Sequence, residues 1–144
     1  MSWMDAIRAL YEAYIAQVER LERDRKPGDG LLGLGSAPKD DPCHDRFATE
    51  LEALLKEMRA QWPAPDVVRD VLTYVYRAPS EHREPQSLYW MLRAVHGLTV
   101  ELVPLLLPTD AKELRDAYAK EYRRWDRFPA QKRVLAALEK AGRA

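Results

Sequence analysis

Five side chains of metal-binding type crowd residues 40–45 (DDPCHD): Asp40, Asp41, Cys43, His44 and Asp45. Carboxylate, thiolate and imidazole are the donors that hold zinc. Their spacing works against a shared ion, because successive residues at a helix start point in different directions about its axis. A site here would have to recruit His82, His96 or distant carboxylates, and no His-x-x-x-His or Glu-x-x-His pair offers an anchor. Cys43 is the only cysteine, so neither an intrachain disulfide nor a thiolate cage can form. No residue is assigned to a metal, a cofactor or a catalytic step. Cys43 and His44 are expected to turn toward a core, the first as a small buried thiol.

Immediately upstream, KPGDGLLGLGSAPK sets Gly28, Gly30, Gly33 and Gly35 around three leucines. A phosphate-cradling loop needs glycine amides that converge on an anion between a buried strand and a helix start. Gly28 and Gly33 have the Walker spacing, but Leu34 stands where the lysine belongs, and the aspartates that follow would repel phosphate. The glycines therefore read as a connector with left-handed turns. Leu31, Leu32 and Leu34 do not fit that description, since flexible linkers avoid apolar residues. They are expected either to fold back over the protein or to dock on a partner.

Two further features carry chemistry. Glu121 falls within the apolar stripe Leu114, Ala117, Tyr118, Tyr122 and Trp125; there a buried carboxylate would need a partner or a raised pKa, unless the stripe is only partly covered. His96 lies at the edge of another apolar face. Together with His44 these are the polar residues expected on core-facing positions, and Glu121 with His96 or a tyrosine would be the acid–base pair of an enzymatic reading. The segment KEYRRWDRFPAQKR, residues 120–133, gathers Lys120, Arg123, Arg124, Arg127, Lys132 and Arg133 with interleaved Tyr122, Trp125 and Phe128. Cations beside aromatic rings suit single strands or phosphates. Helical spacing instead separates the rings from the cations, which reads as a core stripe with a solvated charged face, and cations near a helix C-terminus also favour the helix dipole.

These residues are positioned by helices. Apolar residues recur at three- and four-residue steps throughout, with no convincing two-residue alternation. The first helix spans about Trp3 to Arg25, opened by Ser2 and Asp5 and ended by Pro27-Gly28. The second starts at Asp41-Pro42, carries Phe47, Leu51, Leu54, Leu55, Met58 and Trp62, and stops at Pro63. The third starts at Pro65-Asp66. Its valines would suit a strand, but the pairs Val67/Val71, Val68/Leu72 and Val71/Val75 favour a helix, followed by a polar turn from Ala78. A fourth, broad-faced helix is expected from about Pro85 to Val103, a fifth from Thr109 or Asp110 through Trp125, and a short sixth after Pro129. The sum is an all-α, single-domain bundle of five or six helices with one long loop, about 26–41, between the first two.

The 144-residue chain can bury a core of its own. Its 23 basic and 23 acidic residues balance, which argues against a dedicated nucleic-acid binder. The longest apolar run, Leu102–Leu107, is too short to span a bilayer, the N-terminus does not read as a signal peptide, and a lone cysteine suits the cytoplasm. The leading expectation is a non-enzymatic protein–protein interaction or assembly module, with Leu31, Leu32 and Leu34 as its contact residues and a partner or a second copy as its target. The alternative is a nucleic-acid-associated accessory protein using Arg123, Arg124 and Arg127. An enzyme built on Glu121, His96 and tyrosines stands third.

Overall fold

In the computed structural model the residues described are 2–23, 42–81, 95–123 and 128–143. They form five α-helices: α1 (Trp3–Arg23), α2 (Pro42–Ala60), α3 (Pro65–Glu81), α4 (Pro108–Glu121) and α5 (Pro129–Arg143). Two short 3-10 turns, His96–Thr99 and Val103–Leu105, lie between α3 and α4. No strand occurs among the described residues, and the fold is all-α as the periodicity indicates. No described helix is long and apolar enough to cross a membrane. Contacts divide the chain into two compact units, residues 1–53 and 54–144. The loop of residues 26–41, with Leu31, Leu32 and Leu34, lies outside the described residues, as do His82, Arg124, Trp125 and Arg127.

The first unit pairs α1 with the start of α2. Ser2 and Asp5 form a reciprocal capping box: the Asp5 amide donates to Ser2 Oγ at 3.1 Å, and the Ser2 amide donates to Asp5 Oδ2 at 3.4 Å. Two otherwise unmatched donors of the first turn are thereby satisfied, and the bond from Ser2 holds the Asp5 carboxyl below its usual range. Ile7, Tyr11 and Tyr14 recur at helical spacing and are buried with Phe47 and Leu51 of α2. Tyr14 stacks on Phe47 with centroids 4.4 Å apart, and Tyr11 meets the same ring edge-on at 4.9 Å. Tyr14 also meets His44 at 5.6 Å, so residue numbers rise on one helix as they fall on the other and the two run antiparallel.

The second unit opens on the end of α2, whose Leu55 and Met58 are buried. The helix ends two residues before the expected Trp62. That tryptophan takes a left-handed conformation, φ 50°, and its amide bonds back to the Arg59 carbonyl at 3.1 Å. Such a position usually falls to glycine or asparagine. α3 is a helix despite its valines: Val68, Val71, Leu72, Val75 and Tyr76 form one buried stripe, and the packing of that stripe outweighs the small propensity cost of β-branching. α3 also continues through residues 78–81, where a turn was expected.

The expected fourth helix is corrected in its described part. From Gly97 to Leu106 the backbone bonds span three residues, with Leu102 N–H to Thr99 O at 2.9 Å and Leu105 N–H to Leu102 O at 3.0 Å. Two local causes account for it. The Thr99 hydroxyl donates to the His96 carbonyl at 2.7 Å, taking the acceptor that an α-helix would offer the Val100 amide, which turns to Gly97 O instead. Pro104 has no N–H to give the Val100 carbonyl, and Val103 bonds there. α4 starts at Pro108, in the first helical position that suits proline, and ends at Glu121 rather than Trp125. α3 packs against α4 and both 3-10 turns, and α5 packs against α4 and the same turns.

Candidate functional site

α3 and α4 run side by side in the same direction: Arg69 faces Asp110 near their N-terminal ends, Nη1 to Oδ2 at 4.0 Å, and Tyr76 meets Tyr118 near their C-terminal ends at 4.9 Å between centroids. Between these two points they leave a groove of about 310 Å³. α3 contributes Arg69, Thr73, Tyr76 and Arg77, at steps of four, three and one. α4 and its cap contribute Asp110, Glu113, Leu114, Ala117, Tyr118, Glu121 and Tyr122, at steps of three, one, three, one, three and one. Each set is one face of a helix, since positions three and four apart stack along it. From Asp110 to Glu121 the groove is about 16 Å long, at roughly 1.5 Å per residue.

Three tyrosines form its floor, and each is held by its hydroxyl. Tyr76 is buried, and its hydroxyl lies 2.8 Å from Thr99 Oγ1. Because Thr99 spends its own proton on the His96 carbonyl, Tyr76 is the donor. The Tyr118 hydroxyl lies 3.0 Å from His96 Nδ1 and also bonds to the Gln131 side chain of α5. Which of Tyr118 and His96 donates follows the imidazole tautomer. The Tyr122 hydroxyl donates to the Tyr76 carbonyl. The His96 ring lies among Tyr76, Tyr118 and Tyr122, with centroids 5.3 to 5.5 Å away.

Burial sets the charge state of this cluster. It pushes the phenols of Tyr76, Tyr118 and Tyr122 up, with Glu121 adding to the rise at Tyr122. Burial pushes His96 down to about 3, with the Val75 backbone acting weakly the other way. At neutral pH all four rings are uncharged, and the tyrosines act as donors rather than nucleophiles.

The rim is charged, with opposite signs on opposite helices. Arg69 and Arg77 stand on the α3 side; Asp110, Glu113 and Glu121 stand on the α4 side. Arg69 is shared between Asp70 and Asp110, which raises its pKa. Neither Glu113 nor Glu121 forms an ion pair among the described residues. Ala117, exposed, sits midway between them, one turn from each. No protein-family model, curated protein or solved structure matches this chain. The site is therefore read from its geometry.

The structure distributes the sequence candidates unevenly. Of the alternatives for Glu121, the buried one is corrected: the residue is exposed at the groove's rim, not turned into a core. Its place in an apolar stripe is real, but that stripe is only half covered. Ala111, Leu114, Tyr118 and Tyr122 pack inward while Ala117 and Glu121 flank the open groove. His96 is fully buried and bonded to Tyr118, and it belongs to a 3-10 turn instead of a long helix. Glu121 and His96 are not brought together as an acid–base pair. His44 is half-buried against Tyr14 in the first unit, and Cys43 belongs to the first turn of α2. Among the described residues no three His, Cys, Asp or Glu side chains are grouped to hold a metal. Of the anion-binding candidates, Arg123 is exposed just past α4. Sequence reasoning missed Tyr76 and Thr99 as partners of His96, and Gln131 as a partner of Tyr118. The one available signal was Arg69, Thr73 and Arg77 repeating every four residues along α3.

Proposed function

We propose that the protein is a non-enzymatic interaction module and that the α3–α4 groove receives a segment of a partner polypeptide. The observation that carries this reading is the groove itself: two helix faces, an aromatic floor held by hydrogen bonds, and a charged rim. Tyrosines supply rigid, amphipathic contact area at low entropic cost and recur among the residues that dominate binding energy. A length of about 16 Å fits three turns of helix, the arrangement in which an amphipathic helix lays its apolar face into a groove. Neutral, hydrogen-bonded rings favour this reading over acid–base chemistry. The contact residues in this reading are Thr73, Tyr76, Leu114, Ala117, Tyr118 and Tyr122, while Leu31, Leu32 and Leu34 lie outside the described residues. The lone cysteine suits a cytoplasmic setting.

Selection of a displayed peptide library against the wild-type protein and against Ala117→Trp tests the reading. An indole at residue 117, an exposed position, occupies the middle of the groove. Peptides that bind the wild type and lose the variant are the expected result. A selection whose winners bind both proteins equally would refute the groove as the docking site.

A further inference from the structure

We infer that the partner segment is a cationic amphipathic helix whose basic residues lie against the α4 side of the groove. This inference rests on the proposed docking site and adds the chemistry of its occupant. The argument is one of charge and spacing. Among the groove's charged residues the carboxylates outnumber the guanidiniums, three to two. The Arg69 guanidinium is already engaged by Asp70 and Asp110. Glu113 and Glu121 carry no ion pair among the described residues.

Their placement specifies a pattern. Glu113 and Glu121 are eight residues apart on one helix, about 12 Å along its axis. A helix lying beside α4 meets both with basic residues seven or eight positions apart, two turns of its own length. Between the two carboxylates the rim dips at Ala117, the smallest side chain lining the groove. An apolar residue on the partner's intervening turn passes over Ala117 onto Leu114 and Tyr118. The pattern is a basic residue, an apolar residue one turn on, and a second basic residue one turn further.

The test uses the full chain and two synthetic amphipathic helical peptides of about 14 residues each. One carries two arginines two turns apart with leucines on the turn between; the other has glutamates in place of the arginines. Binding is read by calorimetry at low salt and by the shifts of α4 amide signals in NMR spectra. The arginine peptide is expected to bind and to shift signals along α4, and the glutamate peptide to bind at least about tenfold more weakly. The double variant Glu113→Lys/Glu121→Lys is expected to reverse that preference, and the exposure of both positions leaves folding intact. Equal binding of both peptides, blocked by Ala117→Trp, would overturn the cationic partner while leaving the docking site standing. If neither peptide shifts α4 signals, both readings are overturned. Self-association of the chain that Ala117→Trp abolishes would make a second copy the occupant, and would overturn the separate cationic partner.

Discussion

His96 should make the stability of the second unit depend on pH in a range where few other groups titrate. The ring is fully buried, touches three tyrosines, and has its pKa pushed from 6.5 down to about 3 by burial. The folded protein thus keeps His96 neutral, while the unfolded chain protonates it below about 6.5. A base depressed in the folded state contributes its full share above the unfolded pKa, and stability falls as pH drops toward the folded value. The slope approaches about 1.4 kcal/mol per pH unit, so roughly 2 kcal/mol is lost by pH 5. Most carboxylates titrate below that, with Asp5 held lower still by its bond from Ser2, so pH 5 to 7 isolates the histidines.

The assay is urea unfolding between pH 5 and 7, followed through resolved NMR signals of α4 so that only the unit containing His96 is read. The control is His96→Gln, which cannot titrate and keeps an acceptor for Tyr118. Wild type should lose about 2 kcal/mol across this range, and the variant should lose far less. Equal losses in both proteins would refute the reasoning, as would a folded-state ring titration with a midpoint above about 5.

Tyr118→Phe should destabilise the second unit by about 2 to 3 kcal/mol in the same unfolding assay, because it leaves buried groups of both His96 and Gln131 without their partner; a cost below that of an exposed substitution would sink the network. Met58→Ala, at a fully buried position, should cost about 2 to 5 kcal/mol by opening a cavity, read from the urea midpoint. Trp62→Gly should be neutral or stabilising by up to about 1 kcal/mol, since Trp62 is 73% exposed and held at φ 50°; a large loss would mean that the indole packs against something in solution. Ser2→Ala should lower the helicity of α1, removing an acceptor worth about 1 kcal/mol, visible as lost exchange protection at the Asp5 amide.

Helix starts and buried stripes were legible because they are local. Ser2 with Asp5 specifies a cap by residue type and a three-residue step, and Pro42, Pro65 and Pro129 each occupy the first position of a helix. Val68, Leu72 and Val75 could be placed in a core from spacing alone. Helix ends were less legible, because they depend on competition for single carbonyls. Nothing in the pattern around His96 states that Thr99 will take its carbonyl, nor that Pro104 will leave Val100 to a three-residue bond. The groove was legible only as an anomaly. Glu121 among apolar residues looked like a buried charge because a helical wheel shows which residues share a face and not how much of that face is covered. Coverage depends on how closely α3 approaches α4, which is set by tyrosines forty-odd residues apart in the chain.

The same tyrosines explain why the groove is open rather than collapsed. Tyr76 and Tyr118 meet edge-on at 69°, and three hydroxyl bonds fix their depth: one to Thr99, one to His96 and one from Tyr122 to the Tyr76 carbonyl. Moving α4 against α3 would disturb the bonds made by Tyr118 and Tyr122, and each buried polar group left unmet costs about 1 to 3 kcal/mol. The apolar area gained over Ala117 could not offset several such losses at about 25 cal/mol per Å². Leucines in place of the tyrosines would carry no such penalty and would let the helices close. A floor held open by hydrogen bonds is already in its binding shape, so an incoming segment does not have to order it first. His96 matters to the groove through this arrangement: it is neutral and buried, and it bonds to the hydroxyl of Tyr118.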